Sequence, residues 1–97
     1  MSDPEEMPEL IPVKSSNIQS MGYLPDTQAL YVRFIVRGRP GSIGQLYKYD
    51  NVPVGVFSRF RRAASKGSYL HRHIRGRFRY YIWTGSQWRA GGKDARH

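Results

Sequence analysis

Leu30, Val32, Phe34 and Val36 alternate with Tyr31, Arg33, Ile35 and Arg37. A period of two marks a strand, whose successive side chains point to opposite faces. Two further runs fit strands. Asn17 to Tyr23 follows a polar lead-in, Ser15-Ser16-Asn17, and Gln45 to Tyr49 sets Tyr47 and Tyr49 on one face against Leu46 and Lys48 on the other. The intervals carry turn chemistry. Pro25-Asp26-Thr27 suits a tight turn, because proline fixes φ and aspartate bonds its own backbone. Gly38-Arg39-Pro40-Gly41-Ser42-Ile43-Gly44 reads as a long hairpin loop.

After Asn51 the period changes. Pro53 suits the first turn of a helix, where its missing N–H costs nothing. Val56, Phe57, Phe60, Ala63 and Ala64 fall within one arc of roughly 120° at helical spacing, with Arg59, Arg62 and Lys66 opposite. The pattern predicts a main helix over Pro53–Ser65, ended by Gly67 in a left-handed conformation. Ser68 is placed to cap a second, short helix through Ile74, closed by Gly76 and anchored by Leu70 and Ile74. Phe78 to Trp83 fits a fourth strand with Phe78 and Tyr80 inward, and Arg75, Arg77 and Arg79 alternate with them. A Thr84-Gly85-Ser86-Gln87 turn follows. The expected fold class is α+β: a small antiparallel three- to four-stranded sheet (a meander) with one main amphipathic helix and a second short helix packed on one face. Ninety-seven residues make one domain. It is expected over residues 13–89, between an acidic, proline-rich flexible tail (1–12) and a flexible C-terminal tail (90–97).

Charge sharpens this picture. Between Asp50 and Asp94 there is no acidic residue, yet that stretch carries Arg59, Arg61, Arg62, Lys66, Arg72, Arg75, Arg77, Arg79, Arg89 and Lys93. The formal net charge is +9, and four of the seven acids (Asp3, Glu5, Glu6 and Glu9) lie in the first nine residues. A surface normally interleaves charge signs to limit self-repulsion; a single sign sustains a strong local field that favours a polyanion. Phe57, Phe60, Tyr69, Phe78, Tyr80, Tyr81, Trp83 and Trp88 are threaded through the same stretch, and rings beside cations suit bases that stack.

Several short motifs occur in a recognisable order. Val13-Lys14-Ser15-Ser16-Asn17-Ile18 is followed by Gly22-Tyr23, then Tyr47-Lys48-Tyr49, Val52-Pro53, Ala64-Ser65-Lys66-Gly67-Ser68-Tyr69, and Ile74. Over about residues 13–80 this order resembles the KTSC domain, named for its place at the C-terminus of some lysyl-tRNA synthetases and found alone in bacteria and their phages. The resemblance implies a three-stranded meander followed by helices and a conjectured RNA-binding role, and it brings no catalytic residues. Two departures stand out: the Arg37–Gln45 connection is long for the family, and Tyr80 to Trp88 extends past its usual end.

The residues expected to meet nucleic acid are Arg59, Arg62, Lys66, Arg72, Arg75, Arg77 and Arg79 for phosphates, and Tyr47, Tyr49 and Tyr69 for bases. Tyr47 and Tyr49 equally suit a core beneath the helix. Ser15-Ser16-Asn17 either hydrogen-bonds a ligand or satisfies backbone groups where the chain joins the sheet.

Other chemistries find less support. There is no cysteine, hence no disulfide and no thiolate zinc site. His71 and His73 at i, i+2 on a helix point about 200° apart, so they do not share a metal. No Walker loop, Gly-x-Ser-x-Gly or paired-carboxylate site is present. No cofactor is expected. No apolar run reaches the roughly 18 residues of a membrane span, and the acidic N-terminus is unlike a secretory signal, so a cytoplasmic, membrane-free protein is expected. The leading function is a non-enzymatic nucleic-acid-binding module for RNA or single strands. The alternative is an adaptor or inhibitor docking on an acidic protein partner; a small endoribonuclease built on the histidines is more remote.

Overall fold

Eight short elements follow one another in the computed structural model, which describes residues 7–91: β1 (Ile11–Pro12), β2 (Ile18–Leu24), β3 (Ala29–Phe34), β4 (Leu46–Tyr49), α1 (Val54–Arg62), α2 (Lys66–His73), β5 (Tyr80–Trp83) and β6 (Trp88–Ala90). The strands form a single antiparallel sheet in the order β1-β2-β3-β4-β5-β6. Every strand lies beside its neighbour in sequence, and the two helices are inserted between β4 and β5, which pair directly through Tyr49↔Tyr80 and Tyr47↔Ile82. The α+β class and the meander hold.

The sheet has six strands where three to four were expected. β1 and β6 span only two and three residues, too short to display an alternating pattern. β1 also contains Pro12, which is tolerated because β1 is an edge strand. The 1–12 tail therefore needs correcting in its second half: Ile11 and Pro12 pair with Met21 and Ser20. Ala90 likewise closes β6, and the Gly91 N–H bonds the Tyr80 carbonyl at 2.9 Å. The rest of the expected tails, residues 1–6 and 92–97, lies outside the described residues.

Cross-strand registry sorts the side chains onto two faces. One carries Ile18, Met21, Leu30, Val32, Tyr49 and Tyr80, and the helices cover it with Phe60, Leu70 and Ile74 to form the main core. On the other, Ala29, Tyr31 and Leu46 make a smaller buried cluster under Leu10, Leu24, Trp83 and Trp88. β3 is thus buried on both faces, which is why Ala29 to Val32 are all buried. Close to β1 the chain crosses the second face at Gly22: a Cβ there would lie 2.7 Å from the Glu9 carbonyl oxygen and 2.9 Å from Pro8 Cγ.

The helix boundaries shift from expectation. α1 ends at Arg62 because Ala63 is extended, at φ −65° and ψ 138°. Gly67 does not stop α1 but lies in the first turn of α2. The cap of α2 is Ser65, whose hydroxyl accepts from the Ser68 N–H at 3.3 Å. Ser65 and Ser68 are both good caps, and the chain uses the earlier one. Gly76 does follow α2 with φ 82°. β5 begins at Tyr80, so Arg75, Arg77 and Arg79 lie in the turn before it and not along a strand. Phe78 and Tyr80 still pack inward.

Candidate nucleic-acid interface

The Lys14-Ser15-Ser16-Asn17 segment leads into β2 and lies against the start of α2. Its hydroxyls are partly committed to the backbone: the Ser15 hydroxyl accepts from the N–H groups of Asn17 and Ile18, each at 3.1 Å. The Ser16 hydroxyl donates to Asn17 Oδ1 at 2.7 Å. The Asn17 carbonyl then accepts from the Ile35 N–H at 2.8 Å, fixing the segment to the end of β3. Ser15 thus satisfies backbone groups where the chain joins the sheet, while the Ser16 and Asn17 side chains bond each other.

A groove of about 1230 Å³ opens between this segment, the first turns of α2, the open end of β3 and β4, and the β5–β6 turn. Ile18, Phe34, Leu46 and Leu70 contribute apolar walls, and Ser65, Gly67 and Ser68 line it from α2. Its cations are Lys14, Arg33, Arg37, Lys66, Arg72 and Arg75, and among the described residues no aspartate or glutamate lines it. The volume exceeds the roughly 300–1,000 Å³ of typical small-molecule sites, which suits an extended ligand.

Two of the cations are held in place. Lys66 Nζ donates to the Ala63 carbonyl at 3.1 Å, and Arg33 Nη1 donates to the Gly44 carbonyl at 2.9 Å. Each retains further N–H donors. Tyr47, half-buried at the groove wall, stacks on Tyr80 at 5.4 Å and meets Phe34 edge-on at 5.0 Å. Burial raises its phenol pKa and Tyr80 adds to the rise, while the Arg75 guanidinium pulls the other way.

The residues expected from the sequence divide three ways. Lys66, Arg72, Arg75 and Tyr47 line the groove. Arg59 and Arg62 are exposed on α1, and Arg77 and Arg79 are exposed in the turn, all outside the groove lining. Arg77 Nε instead bonds the Arg72 carbonyl at 3.2 Å. Tyr49 is a correction: it is 0 % exposed in the main core, so its ring offers no face to a base. Tyr69 is half-buried between Phe60 (5.9 Å) and His73 (4.5 Å) and is not part of the groove.

Sequence reasoning missed Lys14, Arg33 and Arg37. Lys14 stands in a recognised motif, and its place there was the available signal. His71 lines the groove whereas His73 rests on Tyr69. Among the described residues no three metal-ligating side chains gather, and no helix is long and apolar enough to cross a membrane.

Comparison with known proteins agrees with the geometry. The family model described as the KTSC domain matches residues 14–78. A lysine–tRNA ligase of Nostoc sp. is 35% identical over 71 residues, covering 73% of this chain and 11% of the ligase; one of Trichormus variabilis is 34% identical over the same length and shares. The chain therefore spans about a tenth of those ligases. A protein of Tsukamurella paurometabola, described no further, is 37% identical over 68 residues, 70% of this chain and 91% of that one. The crystal structure of a KTSC domain protein from Yersinia pestis superposes with a TM-score of 0.63 at 35% identity, covering 74% of this chain and 92% of that chain. Both motif blocks that meet at the groove, Lys14–Asn17 and Ala64–Tyr69, lie inside the matched span.

Proposed function

The chain belongs to the KTSC domain family, and we propose that it is a nucleic-acid-binding module whose groove holds the phosphates of RNA or another single strand. One observation carries the reading: among the described residues, six Lys and Arg side chains line the groove and no carboxylate does. Phosphates neutralise such a surface and release their counterions on binding, whereas an uncharged ligand leaves the cations to repel one another. The short hydroxyls at Ser65 and Ser68 add donors that suit phosphate oxygens. The ligases that share this segment carry tRNA in their name, which supports RNA as the ligand class and says nothing of ligase chemistry in a chain this size.

The module binds without cutting. Strand cleavage needs a base for the 2′-hydroxyl and an acid for the leaving oxygen. Of the described histidines His71 alone lines the groove, and arginines stay protonated and make poor bases. A second reading, docking on an acidic protein, is favoured by Ile43 and Val36, which are 66% and 40% exposed on the 35–45 loop beside the groove.

Fluorescence anisotropy against labelled RNA, single-stranded DNA and duplex, at several salt concentrations, tests the first reading. Binding that weakens steeply with salt supports it. No binding to any polyanion at low salt, together with capture of one acidic protein after nuclease treatment, replaces it with the second.

A further inference from the structure

We propose that the sheet face away from the helices, at the β5–β6 hairpin, is a base-stacking platform that continues the groove, so that the ligand is a single strand and not a duplex. The proposal rests on the groove holding phosphates.

Registry builds this surface. Tyr80 and Ile82 pack with the main core, so their neighbours Tyr81 and Trp83 turn to the opposite face. Trp83 stands across from Trp88, and Tyr81 across from Lys48. The two indoles lie 5.0 Å apart at 57°, and Trp88 meets the buried Tyr31 edge-on at 5.8 Å. Tyr81, Trp83 and Trp88 are each only half-buried. No helix residue belongs to the cluster beneath them.

Two features separate this surface from an ordinary small core. Lys48 Nζ sits 5.1 Å from the Tyr81 ring centre and 4.9 Å from that of Trp88. A cation held between rings supplies the positive charge that a stacked nucleotide needs for its phosphate, and cation and rings attract each other besides. Trp83 also lines the groove, as do Thr84 and Gly85 of the hairpin turn. A strand whose phosphates follow the groove therefore meets an indole where the groove rounds the end of the sheet. Bases in a single strand have free faces for such rings, each stack strengthening binding by roughly 5- to 150-fold. Bases in a duplex are stacked on one another and gain nothing there. The hairpin lies beyond the residues 14–78 matched by the family model.

The chain has two tryptophans, and both stand on this hairpin. Tryptophan emission thus reports this hairpin, Trp88 from the platform and Trp83 from where it meets the groove, and the Tyr81→Ala variant separates the two. Full-length protein is titrated at low salt with unlabelled oligouridylate and with an RNA duplex of equal length, and anisotropy of labelled strands is measured in parallel. The expected result is a change in emission with the single strand, single-strand affinity at least tenfold above duplex, and a loss of fivefold or more in that affinity for Tyr81→Ala with duplex affinity unchanged. Circular dichroism checks that the variant folds, and the emission change itself needs no variant. Single strands that bind by anisotropy while emission stays constant, or a duplex that binds as tightly, overturn the platform and leave the groove standing. Failure of every strand to bind at low salt overturns both.

Discussion

Gly67 packs against Asn17 so closely that a Cβ on the glycine would lie 3.1 Å from Asn17 Nδ2 and 3.3 Å from its Cγ. This contact joins the two motif blocks that line the groove. The contact opposes the usual helix preference at this position, where alanine is intrinsically better by about 1 kcal/mol. Gly67→Ala is expected to destabilise the protein, and Asn17→Ala to remove that penalty. A double-mutant cycle by urea denaturation should give a coupling of about 0.5–3 kcal/mol. Additive effects would show that the two segments do not touch.

Charge reversal tests the groove more sharply than it tests helix α1. Lys66→Glu with Arg72→Glu alters two groove-lining cations, whereas Arg59→Glu with Arg62→Glu alters two that face solvent elsewhere. The first pair should weaken RNA binding at least tenfold and make the log–log salt slope shallower by about 1.4, on the order of 0.7 per lost phosphate contact on a single strand. The second pair should have the smaller effect. Equal losses from both would move the interface to α1.

Phe60 anchors α1 to the sheet. It is 0 % exposed and lies beside Tyr69. Phe60→Ala removes the ring and leaves a cavity, which costs about 3–5 kcal/mol, out of a total of about 5–15 kcal/mol for a natural domain. A large fall in melting temperature is expected, and an unchanged one would mean that the helix does not pack through this residue.

Stability should fall in alkali. Burial raises the Tyr49 phenol well above its usual value, and Tyr47 adds to the rise while Arg75 opposes it. Tyr23 is raised by burial as well. A raised folded-state pKa means that the native protein holds its proton longer than the unfolded chain. The stabilisation is therefore complete below the unfolded value of about 10 and is lost as pH climbs through and above it. Melting temperature should not fall on this account below about pH 9 and should decline beyond it, less steeply in Tyr49→Phe. An identical decline in the variant would assign the effect to other groups.

The elements with a strong local period were legible in the sequence. The alternation from Leu30 placed β3, and the apolar arc through Phe60 placed α1 with its arginines outward. β1 and β6 were not, because two or three residues carry no period. The cap of α2 was misplaced because Ser65 and Ser68 are both good caps and the local pattern does not choose between them. The groove was half legible because its lining comes from segments far apart in the chain. Lys66, Arg72 and Arg75 stand out as cations without acids nearby. Lys14 and Arg33 are ordinary in their own neighbourhoods and join the others only once β2, β3 and α2 are assembled. Tyr49 shows the converse: the sequence left its ring open to either stacking or the core, and packing decided for the core.

The direct pairing of β4 with β5 has a kinetic consequence. Four residues separate the paired Leu24 and Ala29, whereas thirty separate Tyr49 from Tyr80, and both helices lie within that interval. Closing the longer loop costs about 2 kcal/mol more in chain entropy. The β2–β3–β4 meander is thus the natural early nucleus, with β5 and β6 docking only after α1 and α2 have formed. The last strands to dock carry Trp83 and Trp88, so the onset of tryptophan burial during refolding should time the completion of the fold and lag the appearance of helix.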